Sequence, residues 1–203
     1  WKLGHALAAG NTVVLKPSEL TPATAMELAQ MVADAGFPPG VVNIIPGYGA
    51  EAGEALVRDR QVDKVSFTGS TAVGRKIMSM ASETLKKITL ECGGKSANIV
   101  LDDADLELAV DGALYAIFYH QGQCCEAGSR LLLPRSLHDT FVERLVEKVR
   151  RMTIGDPANP ATDIGPLISR QQRERVLGYV RSAKDEGASL AVGGSTPSGT
   201  ELS

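Results

Sequence analysis

Residues 64–94 read KVSFTGSTAVGRKIMSMASETLKKITLECGG, and the order of patterns within them decides the fold. Lys64-Val65-Ser66-Phe67 predicts a short strand and Thr68-Gly69-Ser70 a turn. Residues 72–81 predict a helix, and Ile88-Thr89-Leu90 a second strand. A strand that passes through a helix into another strand is the unit from which parallel sheets are built. The same alternation holds upstream. Thr12-Val13-Val14-Leu15 reads as a strand ended by Lys16-Pro17-Ser18. A helix follows, with Thr21 as its N-cap, Pro22 at its first position and an apolar stripe of Ala25, Leu28, Ala29 and Val32. Residues 41–45 form the next strand and residues 50–58 a short helix. Strands that are apolar without interruption are covered on both faces, so the reading is α/β with a doubly wound, mostly parallel sheet.

Downstream, residues 96–101 read as a strand and Asp102-Asp103-Ala104-Asp105 as an acidic helix entry. A helix over 106–120 stops at Gln121-Gly122-Gln123, and residues 130–133 form a strand. Two amphipathic helices follow over 137–152 and 170–186, the first with Phe141, Leu145 and Val149 on one stripe. The tail from Gly193 to Gly199 is polar and turn-rich. Gly93-Gly94 is the best candidate boundary, dividing the chain into 1–93 and 94–203.

The 203 residues are 43% hydrophobic and 22% charged, ordinary for a globular chain. Their 21 Lys and Arg against 24 Asp and Glu leave a net charge of -3, too little basic surplus to follow a phosphate backbone, so nucleic-acid binding is not expected. No apolar run approaches a membrane span, and no membrane association is expected. Cys92, Cys124 and Cys125 are a poor disulfide framework, suit a reducing compartment, and lack the spacing of a zinc or redox motif; no metal site is expected. The chain begins at Trp1 rather than Met, so its first residue is not expected to be the gene's first.

Three places carry candidate chemistry. Gly69-Ser70-Thr71-Ala72-Val73-Gly74-Arg75 has the glycine spacing of a triphosphate-binding loop, but Arg75 replaces the lysine. What remains is a strand turning at Gly69 and Ser70 into a helix, whose free N–H groups suit a pyrophosphate; a tight turn alone describes it equally well. Cys125, in Gly122-Gln123-Cys124-Cys125-Glu126-Ala127-Gly128, is a candidate nucleophile among small residues. As a free thiol it is only slightly ionised at neutral pH, so the site must shift it or supply a base. An inert half-buried cysteine is the competing description. Glu91 ends an apolar strand, where α/β sheets place their ligands, and partial desolvation there makes a carboxylate a usable base. A strand-end glutamate facing water is the plainer alternative.

Together these segments resemble the NAD(P)-dependent aldehyde dehydrogenases. The likeness runs from Trp1-Lys2-Leu3-Gly4 to about Gly194. Its most specific pieces are Leu90-Glu91-Cys92-Gly93-Gly94-Lys95-Ser96 and Gly122-Gln123-Cys124-Cys125, which resemble the family's glutamate and cysteine signatures in order and separation. Asn11-Thr12-Val13-Val14-Leu15-Lys16-Pro17-Ser18-Glu19 and Phe67-Thr68-Gly69-Ser70 are two further matching segments. Glu126 departs from the pattern, in which small or apolar residues are commoner.

The resemblance implies a Rossmann-like cofactor domain, its later part in 1–93, and the first part of a second, catalytic α/β domain in 94–203. It implies that Cys125 attacks an aldehyde to give a thiohemiacetal, that hydride passes to the nicotinamide, and that a thioester remains. Glu91 then activates water, and the backbone N–H of Cys125 contacts the oxyanion. Lys16 and Glu19 hold the adenine ribose, Gly69 and Ser70 meet the pyrophosphate, and the carboxylate of Glu19 favours NAD over NADP. Glu91 also favours release of the free acid over transfer to coenzyme A. A small-molecule aldehyde as substrate, a homo-oligomer and a cytoplasmic location, with organelles also open, complete what the family implies. The family's oxyanion asparagine and its nicotinamide-ribose segment lie outside these residues. The chain is therefore expected to be an incomplete stretch of a working enzyme, feebly active or inactive alone. A truncated, non-catalytic dinucleotide-binding or structural protein is the alternative, and a coenzyme-A-acylating dehydrogenase the third reading.

Overall fold

The computed structural model describes residues 2–197. A short helix, α1 (Lys2–Ala8), precedes three consecutive strand–helix–strand units. The first is β1 (Val13–Leu15), α2 (Ala23–Asp34) and β2 (Val42–Ile44). A π-helical turn (Gly49–Gly53) running into α3 (Glu54–Arg58) connects it to the second: β3 (Lys64–Gly69), α4 (Thr71–Ser82) and β4 (Lys87–Cys92). The third is β5 (Ala97–Ile99), α5 (Leu106–Phe118) and β6 (Arg130–Leu132), followed by α6 (His138–Arg151) and α7 (Arg170–Asp185).

Every pair is parallel, with Val13 opposite Val42, Lys64 opposite Lys87 and Ala97 opposite Arg130. Parallel neighbours require a crossover, and α2, α4 and α5 supply one each. Among the described residues these are three two-stranded sheets. The chain divides between Cys92 and Gly93 into two compact units.

In the first unit, Val57, Ile77 and Ala81 are buried against Val65, Phe67, Ile88 and Leu90. The four strand residues are two apart along β3 and β4, so they share the face on which α3 and α4 lie. Thr68 and Glu91, in register with each other, consequently occupy the opposite face. In the second unit, Val110 and Phe141 are fully buried beside Val100 and Ala113, with Leu131, Leu133 and Leu145 packed around them. Burying a side chain as large as Phe141 contributes about 1.5–3 kcal/mol. Ion pairs join the outer faces of the same two helices: Glu107 reaches Arg144 and Lys148, and Asp111 reaches Lys148.

Three local expectations shift. Helix α2 begins at Ala23, with Pro22 rather than Thr21 in the N-cap position and no side-chain cap. The helix expected over 50–58 is π-helical in its first half, where Gly49 and Gly53 flank the widened turn. Helix α5 ends at Phe118, because His120 and Gln121 adopt left-handed backbone angles (φ 50° and 57°). No helix among the described residues is long and apolar enough to cross a membrane.

Candidate active site

The first unit presents two groups of polar side chains. Lys16, just beyond β1, packs its stem where a Cβ on Gly53 would lie 3.6 Å away. Its Nζ donates to the carbonyls of Pro17 (2.6 Å) and Gly47 (3.1 Å) and sits 3.7 Å from Glu19 Oε2. The ammonium has three donors, and two are committed to backbone. The third lies beside a half-exposed carboxylate, so donor and acceptor stand side by side, a fit for the paired hydroxyls of a ribose. The seat that the Gly47 carbonyl and the bare Cα of Gly53 make for Lys16 escapes a reading of the sequence. Its one trace there is the spacing of the glycines at 47, 49 and 53, one residue too long for a dinucleotide fingerprint.

The second group lies at the C-terminal end of β3 and β4. Gly69 is required by a close approach, since a Cβ there would stand 2.5 Å from the Phe67 ring. Ser70 is the N-cap of α4, and its Oγ accepts from Val73 N at 3.3 Å. That bond takes one N–H of the first turn, and the hydroxyl proton stays available to an anion. Glu91 lies inside β4 rather than at its end, since the strand continues to Cys92. Lys2 of α1 donates to Oγ1 of Thr68, the residue in register with Glu91. Lys2 is thus tied to the same strand end, a placement with no sequence signal because it joins residues 66 apart.

Cys125 belongs to the second unit and is exposed, on a loop fixed at both ends. Ahead of it, His120, Gln121 and Gly122 are all left-handed and reverse the chain. Gln123 then returns its N–H to the His120 carbonyl (3.0 Å), while its Oε1 accepts from Ile168 N (3.1 Å). Behind it, Gly128 N bonds to Ala116 O at 3.0 Å, and a Cβ on Gly128 would come 3.1 Å from that of Asn98. Non-glycine residues in left-handed angles cost roughly 1–2 kcal/mol each, so the packing on either side holds the turn in place.

The electrostatics at this loop favour the protonated thiols. Cys125 Sγ donates to Glu126 Oε2 at 2.9 Å, and Cys124 Sγ to Oε1 at 3.1 Å. The hydrogen bond to Glu126, with desolvation and the charge of that carboxylate, raises the Cys125 thiol above its ordinary value. Backbone N–H groups of Cys125 and Glu126 oppose the shift. Glu126 moves the other way, lowered first by its bonds to the two thiols and further by His120. Cys92 is a third free thiol, packed inside the first unit where a Cβ on Gly74 would meet its Sγ at 3.0 Å.

An exposed thiol on an anchored loop and parallel strand–helix–strand crossovers define an α/β class of protein, and comparison with known proteins makes it specific. The model of the aldehyde dehydrogenase family matches residues 1–202. Aldehyde dehydrogenase 1A1 of Mus musculus is 52% identical over 195 residues, covering 96% of this chain and 39% of that protein. The mitochondrial aldehyde dehydrogenase of Sus scrofa is also 52% identical, covering 96% of this chain and 37% of that protein. The NAD+ complex structure of an aldehyde dehydrogenase from Bacillus cereus superposes with a TM-score of 0.94 at 48% identity, over 98% of this chain and 41% of that one. The chain belongs to the aldehyde dehydrogenase family. It spans about two fifths of the length of the curated relatives it matches.

Proposed function

We propose that the protein of which this chain forms part oxidises an aldehyde to the carboxylic acid with NAD, Cys125 being the nucleophile and Glu91 the base for hydrolysis. The observation that carries the reading is the exposed Cys125 thiol on a loop anchored at Gln123 and Gly128, within a chain of this family. Residues 1–93 then belong to the cofactor domain and 94–203 to the catalytic one. Lys16 and Glu19 are the residues for the adenine ribose, and Gly69 with Ser70 for the pyrophosphate. The pairing of ammonium and carboxylate at 3.7 Å supports NAD over NADP, because Glu19 would repel a 2′-phosphate.

NAD, when bound, supplies the acceptor for the aldehyde hydride. The part of Cys125 is to add its sulfur to the carbonyl carbon and then to carry the acyl group as a thioester. The part of Glu91 is to take a proton from the water that attacks that thioester, so that the acid leaves and the thiol returns. The N–H of Cys125 donates to the oxyanion. Three free thiols suit a reducing compartment such as the cytoplasm.

In the complete protein, Cys125→Ser should abolish NADH formation from a simple aldehyde while NAD binding persists. Undiminished NADH formation would remove Cys125 from the mechanism.

A further inference from the structure

We propose that Glu126 is a positioning residue that clamps Cys124 and Cys125 together as protonated donors, so that the sulfur of Cys125 becomes reactive only when this carboxylate lets go. The proposal rests on the reading of Cys125 as nucleophile and adds a control on it. The geometry is specific. One carboxylate divides its two oxygens between two neighbouring thiols, Oε2 to Cys125 at 2.9 Å and Oε1 to Cys124 at 3.1 Å. An acceptor-only group is satisfied by S–H donors but repels a thiolate at the same distance, so the arrangement suits the thiol form and opposes the anion.

The charged neighbours of this carboxylate are few. His120, on the left-handed turn, acts on Glu126 through space and favours its ionised form. Asp103 lines the same shallow groove beside β5 and adds no positive charge. The bonds to both thiols and the charge of His120 favour the Glu126 anion, which is the form that accepts from the two sulfurs.

The test is the pH profile of alkylation of Cys125 by iodoacetamide in the complete protein, with the modified peptide quantified by mass spectrometry. Sulfur–carbon bond formation with loss of iodide reads the thiolate directly and requires no turnover. In Glu126→Gln the profile should move to lower pH, with alkylation several-fold faster at neutral pH and an alkaline plateau no higher than the parent's. Glu126→Ala should shift the profile in the same direction, so the conclusion survives if one variant does not fold. Superimposable profiles overturn the clamp. Slower alkylation at every pH also overturns it, and would make Glu126 a promoter of the thiolate. Because alkylation needs no catalysis, either result is readable whether or not Cys125→Ser abolishes activity, and the two readings fail separately.

Discussion

Glu91 illustrates what one residue's position permits. It occupies β4, opposite the face that holds Ile88 and Leu90 against α4, so its carboxylate escapes the apolar core while its backbone is fixed by pairing with β3. A base held this way keeps its aim without being desolvated outright. Glu91→Gln preserves shape and removes basicity, and should slow steady-state turnover by roughly 10² to 10⁴. The acyl group should then accumulate on Cys125, detectable by intact mass after quenching with acid. Normal turnover without an accumulated acyl-enzyme would take Glu91 out of hydrolysis. The presence of Glu91 also argues for water as the acyl acceptor.

At the scale of elements, helix starts do two kinds of work. Ser70 caps α4, and Asp105 caps α5 by accepting from Leu108 N at 2.9 Å. Replacing either with Ala should cost about 1 kcal/mol in denaturant unfolding. Only Ser70→Ala should also weaken NAD binding, since only that cap stands at a turn proposed for the pyrophosphate. Equal NAD affinity in both variants would reduce Ser70 to a structural cap. The alternation of strands and helices was legible in the sequence because each crossover helix carries its own apolar stripe. Residues 64–94 show it most clearly, with β3, α4 and β4 close to their predicted spans. Helix α1 was not legible: seven residues containing Gly4 and His5 give no periodicity to read. The sequence also pointed to Cys125 as exposed among small neighbours. It could not disclose that Glu126 turns back to both thiols, a side-chain placement that no periodicity or motif signals.

For the whole molecule, the division at Cys92 and Gly93 leaves the two proposed catalytic residues in different units. Lys16, Glu19, Gly69, Ser70 and Glu91 lie in the first unit, and Cys125 in the second. With Glu91 in the role proposed for it, the complete protein should form NADH from aldehyde without added coenzyme A and release the free acid, measured by NADH absorbance together with product analysis. An absolute requirement for coenzyme A would replace hydrolysis with thiolysis. Within the first unit, the bare Cα of Gly74 lets α4 settle onto Cys92 and Leu90, where an added Cβ would come within 3.0 Å of sulfur. Helix α4 begins at the turn proposed for the pyrophosphate, and the strand beneath it carries Glu91. Position 74 is thus a spacer gauge: a methyl group added there must displace α4 or the Cys92 thiol by a few tenths of an ångström, and so couples the turn proposed for the pyrophosphate to the strand that carries the proposed base, without altering either.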